Sequence, residues 1–337
     1  MKVVVPIKSF SELGNYIYDE HKVLLNVTPR HAIASKEGYL IASADYKNQE
    51  VYIAGVLSDD PVILKTIDSN PKMEVNGKEY PNPDADMHTL TTVYCCFPQL
   101  FEGKPKHEWV KIAKDESAIS IKGSARDYGK RTNFAIIYLA TAKTIALTNS
   151  VKESVAQVWV NMHERTYVKF HTWAKEMAEL STARGWIASD LGRIRYTQED
   201  NAKAAGSSPA RSGVNFMIQS PASDMTKYAA VLTDLKYEQL GDKASVIGIV
   251  HDELLAEVPG TAVLDIAATL KASQQLKNSN KRKVIDPVWI IDEEAMYYAN
   301  ILKDSMETAQ TEFFEKARPG CKRLGKADVQ VAPHWSH

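Results

Sequence analysis

Alternating apolar and polar positions predict the strands of this chain. Residues 39–45 alternate and are rich in small and apolar types, as in a half-buried strand. Two β-rich runs predict a hairpin over 245–258, with the polar residues His251, Asp252 and Glu253 at its tip. A last short strand is predicted within 327–337. Strand ends that carry carboxylates are therefore the first candidates for chemistry.

Helical periodicity accounts for most of the remaining chain. The predicted helices cover residues 46–57, 115–148, 151–181, 214–239 and 292–317. The turn at 58–61 ends the first helix, and Gly185 is expected to end the third. Segments rich in Gly, Pro, Asn, Ser or basic residues predict loops at 69–84, 200–213 and 273–284.

Length, composition and charge set only broad limits. A chain of 337 residues can bury a large core and form two or three lobes. Hydrophobic residues make up 44% and charged residues 25%, which is ordinary for a soluble globular protein. The net charge of −1 gives no overall basic signature, so a nucleic-acid role must rest on local patches.

Cysteine usage and hydropathy argue against a secreted or membrane protein. Cys95, Cys96 and Cys321 are too few and too unevenly spaced for a disulfide framework or a zinc site. No apolar run approaches about 18 residues, so no membrane span is expected. The first residues, soon broken by Pro6, do not resemble a signal peptide. A reduced, cytoplasmic location is therefore expected.

The carboxylates at two predicted strand ends suggest a site for divalent cations. Asp45 ends the first strand, and Asp252 and Glu253 lie at the hairpin tip. Acids on separate strands can share two divalent cations, which is the arrangement used for in-line phosphoryl displacement. Taken singly, Asp45 could instead accept backbone hydrogen bonds, and the hairpin acids could be a turn pair.

The helix predicted over 115–148 carries a cationic and aromatic face. Arg126, Lys130, Phe134 and Tyr138 follow one another at intervals of four residues and so share one face. Two cations one turn apart suit a polyphosphate, and an aromatic ring can stack on a base or sugar. From spacing alone, a solvated basic face that runs into a buried aromatic pair is the favoured interpretation.

Taken together and in this order, these segments resemble the three signature motifs of the family A DNA polymerases. The segment Ser43-Ala44-Asp45-Tyr46 with Glu50 resembles motif A, Arg126 to Tyr138 with Asn133 resembles motif B, and Val250-His251-Asp252-Glu253 resembles motif C. Further matches are Asp86-Met87-His88, Gly192-Arg193-Ile194-Arg195-Tyr196, Arg211 to Gln219, and the ending Pro333-His334-Trp335-Ser336-His337. The resemblance covers roughly residues 26–260 and the last 45 or so.

The resemblance implies an α+β fold, the polymerase right hand, with an antiparallel palm sheet and mostly helical fingers. Thumb and exonuclease domains are expected to be absent. The implied segments are a divergent 1–25, palm 26–84, fingers 85–210, palm 211–259, an insertion 260–292 and a C-terminal palm helix and strand 293–337. Such a chain is expected to work with a separate polypeptide that carries thumb, exonuclease or both, as in split polymerases of some bacteriophages.

The resemblance also implies roles for single residues. Asp45, Asp252 and the Tyr46 carbonyl would hold two Mg²⁺ ions, Glu253 would lie beside them, and Lys130 would donate a proton to pyrophosphate. The incoming deoxynucleotide would be bound by Arg126, Lys130, Phe134, His88, Glu50 and Tyr138. Primer–template DNA would be contacted by Arg211, Asn215, Gln219, His251 and Arg193, largely without reading sequence. Glu50 would exclude a ribose 2′-hydroxyl.

Three departures from the family pattern stand out. Ala135 and Leu139 replace two glycines of motif B, which removes room beside the templating base. Val51-Tyr52 follows Glu50 where the family has Leu-Arg. The insertion carries four basic residues that could touch duplex phosphates or simply form a solvated loop: Lys277, Lys281, Arg282 and Lys283.

The predicted function is template-directed DNA polymerisation by the palm and fingers subunit of a split family A enzyme, in a host cytoplasm if the source is a phage. Two alternatives stay open. A single-subunit RNA polymerase shares the motif order, but Glu50 argues against it. A non-catalytic DNA-binding or assembly subunit could keep the fold. Such a subunit would have little reason to retain all four motif residues that this chain carries: Asp45, Asp252, Arg126 and Lys130.

Overall fold

The computed structural model of the chain describes residues 2–4, 24–25, 29–198, 208–275, 284–321 and 323–335. The backbone packs into two compact units. We call Met1–Lys47, Ser223–Glu312 and Leu324–His337 the sheet unit, and Asn48–Ala222 and Phe313–Arg323 the helical unit. None of the described helices is long and apolar enough to cross a membrane. Cys95, Cys96 and Cys321 are buried free thiols.

The strands are short and scattered along the chain. They are β1 (Lys2–Val4), β2 (Leu24–Leu25), β3 (Tyr39–Tyr46), β4 (Lys72–Val75), β5 (Lys78–Pro81), β6 (Trp186–Ala188), β7 (Ile194–Tyr196), β8 (Ser245–Val250), β9 (Glu253–Pro259), β10 (Ala262–Asp265), β11 (Val284–Ile285), β12 (Trp289–Ile291) and β13 (Ala327–Ala332). The predicted strand at 39–45, the hairpin at 245–258 and the final strand are confirmed.

Helices make up most of the rest. They are α1 (Gln49–Ser58), α2 (Pro61–Asp68), α3 (Met87–Thr91), α4 (Trp109–Lys114), α5 (Ala125–Ile137), α6 (Ala142–Asn149), α7 (Glu153–Thr166), α8 (Val168–Arg184), α9 (Pro209–Gln239), α10 (Ile266–Gln275) and α11 (Glu293–Ala317). A π-helical turn, Thr92–Cys96, continues α3. Short 3₁₀ turns cover Pro29–Ala32, Pro83–Ala85, Pro98–Leu100 and Lys106–Glu108.

The sheet unit is built on a four-stranded antiparallel sheet in the order β13-β3-β9-β8. Strand β3 lies between β13 and β9, and its residues Leu40 to Ala44 are all buried. Both faces of β3 are therefore covered, which corrects the expectation of a half-buried strand. Its small residues allow packing on both sides.

Strand β8 lies at the edge of this sheet among the described strands. Ser245, Ile247 and Ile249 alternate outward and are exposed, while the residues between them are partly covered. A β-bulge shifts the register with β9 between Val246 and Gly248. A bulge bends and twists the strand that carries it.

Two long helices brace the sheet unit. The Tyr237 hydroxyl of α9 donates to the Tyr298 carbonyl of α11 over 2.9 Å. Side chains of α11 then accept from the backbone just before and at the start of β13: Gln310 from the Lys326 N–H and Glu307 from the Ala327 N–H. The helix thus fixes where the outer strand begins.

The segment 260–292, expected as an insertion with a loop at 273–284, contains regular structure. Strand β10 pairs with β1 and β12 in a second, three-stranded sheet, and α10 continues to Gln275. Strand β11 pairs in parallel with β2. Lys277, Lys281, Arg282 and Lys283 lie outside the described residues, as do most of 1–25 and of the predicted loop at 200–213.

Several predicted elements of the helical unit are corrected. The helix predicted over 115–148 is wrong in extent, because α5 begins at Ala125 and the chain breaks before α6. The helix predicted over 151–181 is divided at Tyr167, whose buried hydroxyl lies 2.7 Å from that of Thr91. The loop predicted over 69–84 contains the hairpin of β4 and β5. Gly185 ends α8 in the left-handed conformation, as predicted.

Asp60 joins the starts of two helices. Its fully buried carboxylate accepts from the Val62 and Ile63 N–H groups at the start of α2 and from the Phe170 N–H in the first turn of α8. The N-terminal N–H groups of a helix have no partner within the helix, so a carboxylate there satisfies them. One side chain thus ties α2 to α8.

We expect Asp60→Ala to lower the free energy of unfolding by about 2–4 kcal/mol, because three buried N–H groups lose their acceptor. Urea denaturation followed by circular dichroism measures this. The control is Asp115→Ala, an exposed residue whose carboxylate accepts from the backbone and hydroxyl of Ser117, with an expected change of about 0.5 kcal/mol. Equal effects of the two substitutions would contradict the role given to Asp60.

Candidate active site

The two candidate metal-binding aspartates lie at adjacent strand ends of the sheet unit. Residues His251 and Asp252 form the two-residue turn between β8 and β9, with His251 at a φ of 57°. Asp45 pairs with Glu253 across β3 and β9, and the Tyr46 N–H donates to the Asp252 carbonyl over 3.4 Å. The register alone thus brings motifs A and C together.

The neighbouring acids Asp252 and Glu253 have opposite environments. Glu253 is 4% exposed and accepts hydrogen bonds from the Ser43 hydroxyl and, over 2.6 Å, from the Trp335 indole N–H. The Arg30 guanidinium lies 3.6 Å from its other oxygen and stacks over the Trp335 ring. Glu253 therefore holds the C-terminal segment on the sheet, and its predicted catalytic role stays a prediction.

The Asp252 carboxylate is partly exposed and has no hydrogen-bond or ion-pair partner within the described parts of the chain. Its hard oxygens, with those of Asp45 and the Tyr46 carbonyl, fit what Mg²⁺ prefers. The Tyr46 phenol is buried, which raises its pKa, so only its carbonyl is suited to a cation. No group of three or more His, Cys, Asp or Glu side chains suited to a metal occurs among the described residues.

In the helical unit, a salt bridge fixes the first cation of α5. Arg126 donates to Asp86 through Nε over 2.6 Å and through Nη2 over 3.0 Å. Asp86 also caps α3, since it accepts from the His88 and Thr89 N–H groups. Burial opposes ionisation of Asp86, but the Arg126 guanidinium outweighs it and keeps the pKa of Asp86 below its usual value.

Helix α5 approaches α3 closely at Gly129. A Cβ atom at this position would lie 2.5 Å from the His88 carbonyl oxygen and would also clash with Thr92. Only a residue without a side chain permits this approach. Gly129 therefore brings the motif B helix against the helix that carries His88.

His88 is buried and neutral. Its side chain is 3% exposed, and burial together with the positive charges of Arg126 and Lys130 lowers the pKa of the imidazole to about 4. Its ring lies 5.6 Å from the Phe134 ring, and its Nδ1 lies 3.0 Å from the Asn133 amide nitrogen. Three motif residues of the prediction are thus packed together.

The end of α5 has the hydrogen bonds of a Schellman motif without its usual glycine. The Ala140 N–H donates to the Ala135 carbonyl over 2.8 Å, and the Leu139 N–H donates to Ile136 over 2.9 Å. Leu139 has a φ of 52°, at the position where the family pattern has glycine. A leucine in this conformation costs about 1–2 kcal/mol. This break explains why α5 ends at Ile137 and Tyr138 caps it instead of lying within a longer helix.

A cleft of about 440 Å³ lies along this face of the helical unit. It gathers predicted nucleotide-binding and DNA-binding residues from two helices. Its lining residues are Lys130, Arg131, Phe134, Ala135, Tyr138, Ala140, Thr144, Thr148, Arg211 and Asn215. Lys130, Arg131 and Arg211 supply positive charge, and no acidic residue lines the cleft among the described residues. The side-chain oxygen of Asn215 is buried without a partner in the described part of the chain.

A hydrogen-bonded chain crosses the helical unit near this cleft. The Tyr138 hydroxyl donates to the Glu50 carboxylate, and the Gln219 amide nitrogen lies 3.4 Å from the same hydroxyl. The Arg211 guanidinium donates to the Leu139 carbonyl over 3.1 Å. Glu50 is thereby held in place by a second motif residue.

Two predicted DNA-binding residues lie elsewhere. Arg193 is exposed on the β6–β7 hairpin and does not line the cleft, and His251 is exposed in the turn of the sheet unit. The sequence prediction also missed contacts around Asn133, which reaches Thr91 and His163. His163 lies on the buried stripe of an amphipathic helix, where a histidine gives no distinct signal.

Comparisons with known proteins identify the family of this chain. The family model of DNA polymerase family A matches residues 18–285. The chain therefore belongs to DNA polymerase family A.

Curated relatives are bacterial enzymes. DNA polymerase I, thermostable, of Thermus caldophilus is 23% identical over 73% of this chain and 26% of its own length. DNA polymerase I of Pseudomonas aeruginosa is 26% identical over 68% of this chain and 22% of its own. The chain thus spans about a quarter of the length of these relatives.

A solved structure shares the fold. It is the POL domain of Pol1 from M. smegmatis in complex with DNA primer-template and dNTP, with a TM-score of 0.62 and 18% identity. The match covers 91% of this chain and 42% of that one. The α+β architecture with an antiparallel sheet is therefore that of a Pol1 polymerase domain.

The left-handed conformation of Leu139 leads to a prediction on stability. We expect Leu139→Gly to be more stable than Leu139→Ala by about 1 kcal/mol, because both lose the same packing but only glycine adopts this φ without strain. Thermal and urea unfolding of the two variants measure the difference. If the alanine variant were equally stable, the strain assigned to the end of α5 would be absent.

Proposed function

We propose that this chain is the catalytic core of a template-directed DNA polymerase. It would transfer a deoxynucleoside monophosphate from a dNTP to a primer 3′-hydroxyl and release pyrophosphate. The observation that carries the proposal is the cationic cleft, in which Lys130, Phe134, Tyr138, Arg211 and Asn215 come together. A triphosphate and a nucleic-acid backbone are the polyanions that such a cleft suits.

The sheet unit supplies the metal-binding part of this proposal. Asp45, Asp252 and the Tyr46 carbonyl would hold two Mg²⁺ ions, and Asp252 is available because its carboxylate has no partner among the described residues. When bound, such ions lower the pKa of the attacking hydroxyl and neutralise charge on the triphosphate. Glu253 accepts hydrogen bonds from Ser43 and Trp335 and would act by holding the hairpin tip in position.

The helical unit supplies the phosphate-binding part. Arg126 donates to Asp86 through Nε and Nη2, so its Nη1 would be the donor to a phosphate oxygen. Lys130 is exposed, lies 6.0 Å from the Phe134 ring and would give its proton to the leaving pyrophosphate. Phe134 would stack near the sugar, and Glu50, held by Tyr138, would exclude the 2′-hydroxyl.

The palm and fingers segments predicted from the motifs form part of this proposal, as does a separate polypeptide that supplies thumb and exonuclease functions. The purified chain alone is then expected to extend primers distributively, with few additions at each encounter. Processive extension by the purified chain would contradict the need for a second polypeptide and leave the polymerase assignment intact.

We expect Asp252→Asn and Asp45→Asn to lower the rate of Mg²⁺-dependent primer extension by a factor on the order of 10²–10³, as does loss of other groups that act on transition-state charge. Extension of a labelled primer on a template measures this. The matched control is Asp328→Asn, since Asp328 lies opposite Asp45 on β13 and forms a salt bridge with Lys47. Its rate is expected to stay near that of the wild type.

If the Asp252→Asn variant extended primers at the wild-type rate, the metal-binding role proposed for Asp252 would be contradicted. DNA binding without extension by the wild type, with host extract present, would favour the non-catalytic DNA-binding or assembly subunit.

We expect Glu50→Ala to raise ribonucleotide incorporation relative to deoxynucleotide incorporation by on the order of 10- to 10²-fold, because the 2′-hydroxyl loses its steric and electrostatic barrier. Tyr138→Phe is expected to act in the same direction but less, since it removes one hydrogen bond of Glu50 and leaves the side chain in place. Single-nucleotide extension with each substrate measures the ratio, and Glu176→Ala, an exposed glutamate of α8, is the control. A wild type that prefers ribonucleotides would favour an RNA polymerase.

A further inference from the structure

A chain of hydrogen bonds runs through the interior of the helical unit and ends at His88. The Asn133 amide lies at its centre. Its nitrogen lies 3.0 Å from His88 Nδ1, and its oxygen lies 2.7 Å from the Thr91 hydroxyl and 3.1 Å from His163 Nε2. Beyond these, His163 Nδ1 lies 2.9 Å from His171 Nε2, and the Thr91 hydroxyl lies 2.7 Å from that of Tyr167.

The hydroxyl protons fix the orientation of the Asn133 amide. With the amide oxygen toward Thr91, Tyr167 donates to Thr91 and Thr91 donates to Asn133, so both hydroxyl protons have acceptors. With the amide reversed, its nitrogen would donate to Thr91, and one of the two hydroxyl protons would have no acceptor among the described residues. Thr91 and Tyr167 are fully buried, where such a loss is costly.

The amide orientation then determines the tautomer of His88. An amide nitrogen only donates, so His88 Nδ1 must accept and carry no proton. A neutral imidazole with a bare Nδ1 carries its proton on Nε2. No described residue accepts from this Nε2–H, although the side chain is 3% exposed. The positive charges of Arg126 and Lys130 act on the same ring, so this N–H suits an anionic acceptor.

The same reasoning assigns the other two histidines. The Asn133 oxygen only accepts, so His163 Nε2 carries the proton and its Nδ1 accepts from His171 Nε2–H. Complete burial lowers the pKa of His163 well below its ordinary value, in keeping with a neutral ring. All three histidines are therefore assigned the same tautomer.

We propose that Asn133 is a positioning residue that fixes His88 in the Nε2–H tautomer, so that the ring donates a hydrogen bond to a phosphate oxygen of the incoming nucleotide. The tautomer follows from the interior of the helical unit alone, whereas its use for a nucleotide rests on the proposed polymerase function. Asn133 itself does not touch the substrate in this proposal.

The tautomer is tested by long-range ¹H–¹⁵N correlation spectra of the full chain labelled with ¹⁵N-histidine, without nucleotide. The His88 signals are assigned as those lost in His88→Gln. The expected result is a protonated Nε2 and a bare Nδ1. Asn133→Asp puts an acceptor opposite Nδ1 and is expected to protonate that nitrogen. Thr91→Val removes the hydroxyl that fixes the Asn133 amide and is expected to let His88 populate both tautomers.

A protonated Nδ1 in the wild type would overturn the proposal, and so would an unchanged His88 in a folded Asn133→Asp variant. If Asn133→Asp does not fold, the wild-type spectrum still decides the tautomer, and Thr91→Val still tests what fixes it.

The use of the tautomer is tested by a matched pair of substitutions at His88. The amide nitrogen of glutamine can take the place of Nε2, whereas that of asparagine can only take the place of Nδ1. Equilibrium binding of a dNTP to the protein with a chain-terminated primer–template is the measurement. His88→Gln is expected to stay within a few-fold of the wild type, and His88→Asn to weaken binding by about 10- to 100-fold.

Equal weakening by both substitutions would overturn the role of Nε2–H. Absence of dNTP binding by the wild type would contradict the proposed function. The spectra, recorded without nucleotide, would still test the tautomer set by Asn133.

Discussion

The helical unit depends on how closely α5 approaches α3 at Gly129. A side chain there would meet the backbone of α3 and its π-helical continuation, so the two helices would move apart. The Arg126–Asp86 pair and the contacts of Asn133 with His88 and Thr91 all cross this interface, over 2.6 to 3.0 Å. The candidate phosphate-binding groups are therefore positioned by helix packing instead of by loops.

The sheet unit separates two adjacent acids by a different constraint. Alternation along β9 turns Glu253 toward Ser43 and Trp335, while Asp252 stays in the turn. Glu253 is buried with its oxygens engaged, and Asp252 is left with none of the described side chains as partner. One acid stabilises the tip of the hairpin, and the other remains available for chemistry.

The sequence was informative where local pattern and motif agree. The strand that carries Asp45, the hairpin that carries Asp252 and the four-residue spacing from Arg126 to Tyr138 could all be read from it, and the family assignment followed. The breaks in the helices could not be predicted, because neither is marked by Gly or Pro. Leu139 is held in a strained conformation by two backbone hydrogen bonds, and Tyr167 is fixed by a buried contact with Thr91. The Asn133 network could not be predicted either, because its members come from four helical segments that are separate in the sequence.

The bulge in β8 bears on how copies of this protein behave in concentrated solution. Among the described strands β8 lies at an edge, and an edge strand with exposed Ile247 and Ile249 can offer backbone groups and apolar side chains to a neighbouring chain. A net charge of −1 supplies little repulsion to keep copies apart. The shift in register between Val246 and Gly248 breaks the even spacing that a second strand would need. This irregularity acts against edge-to-edge aggregation. A variant without the bulge, in which β8 pairs regularly with β9, would therefore be less soluble.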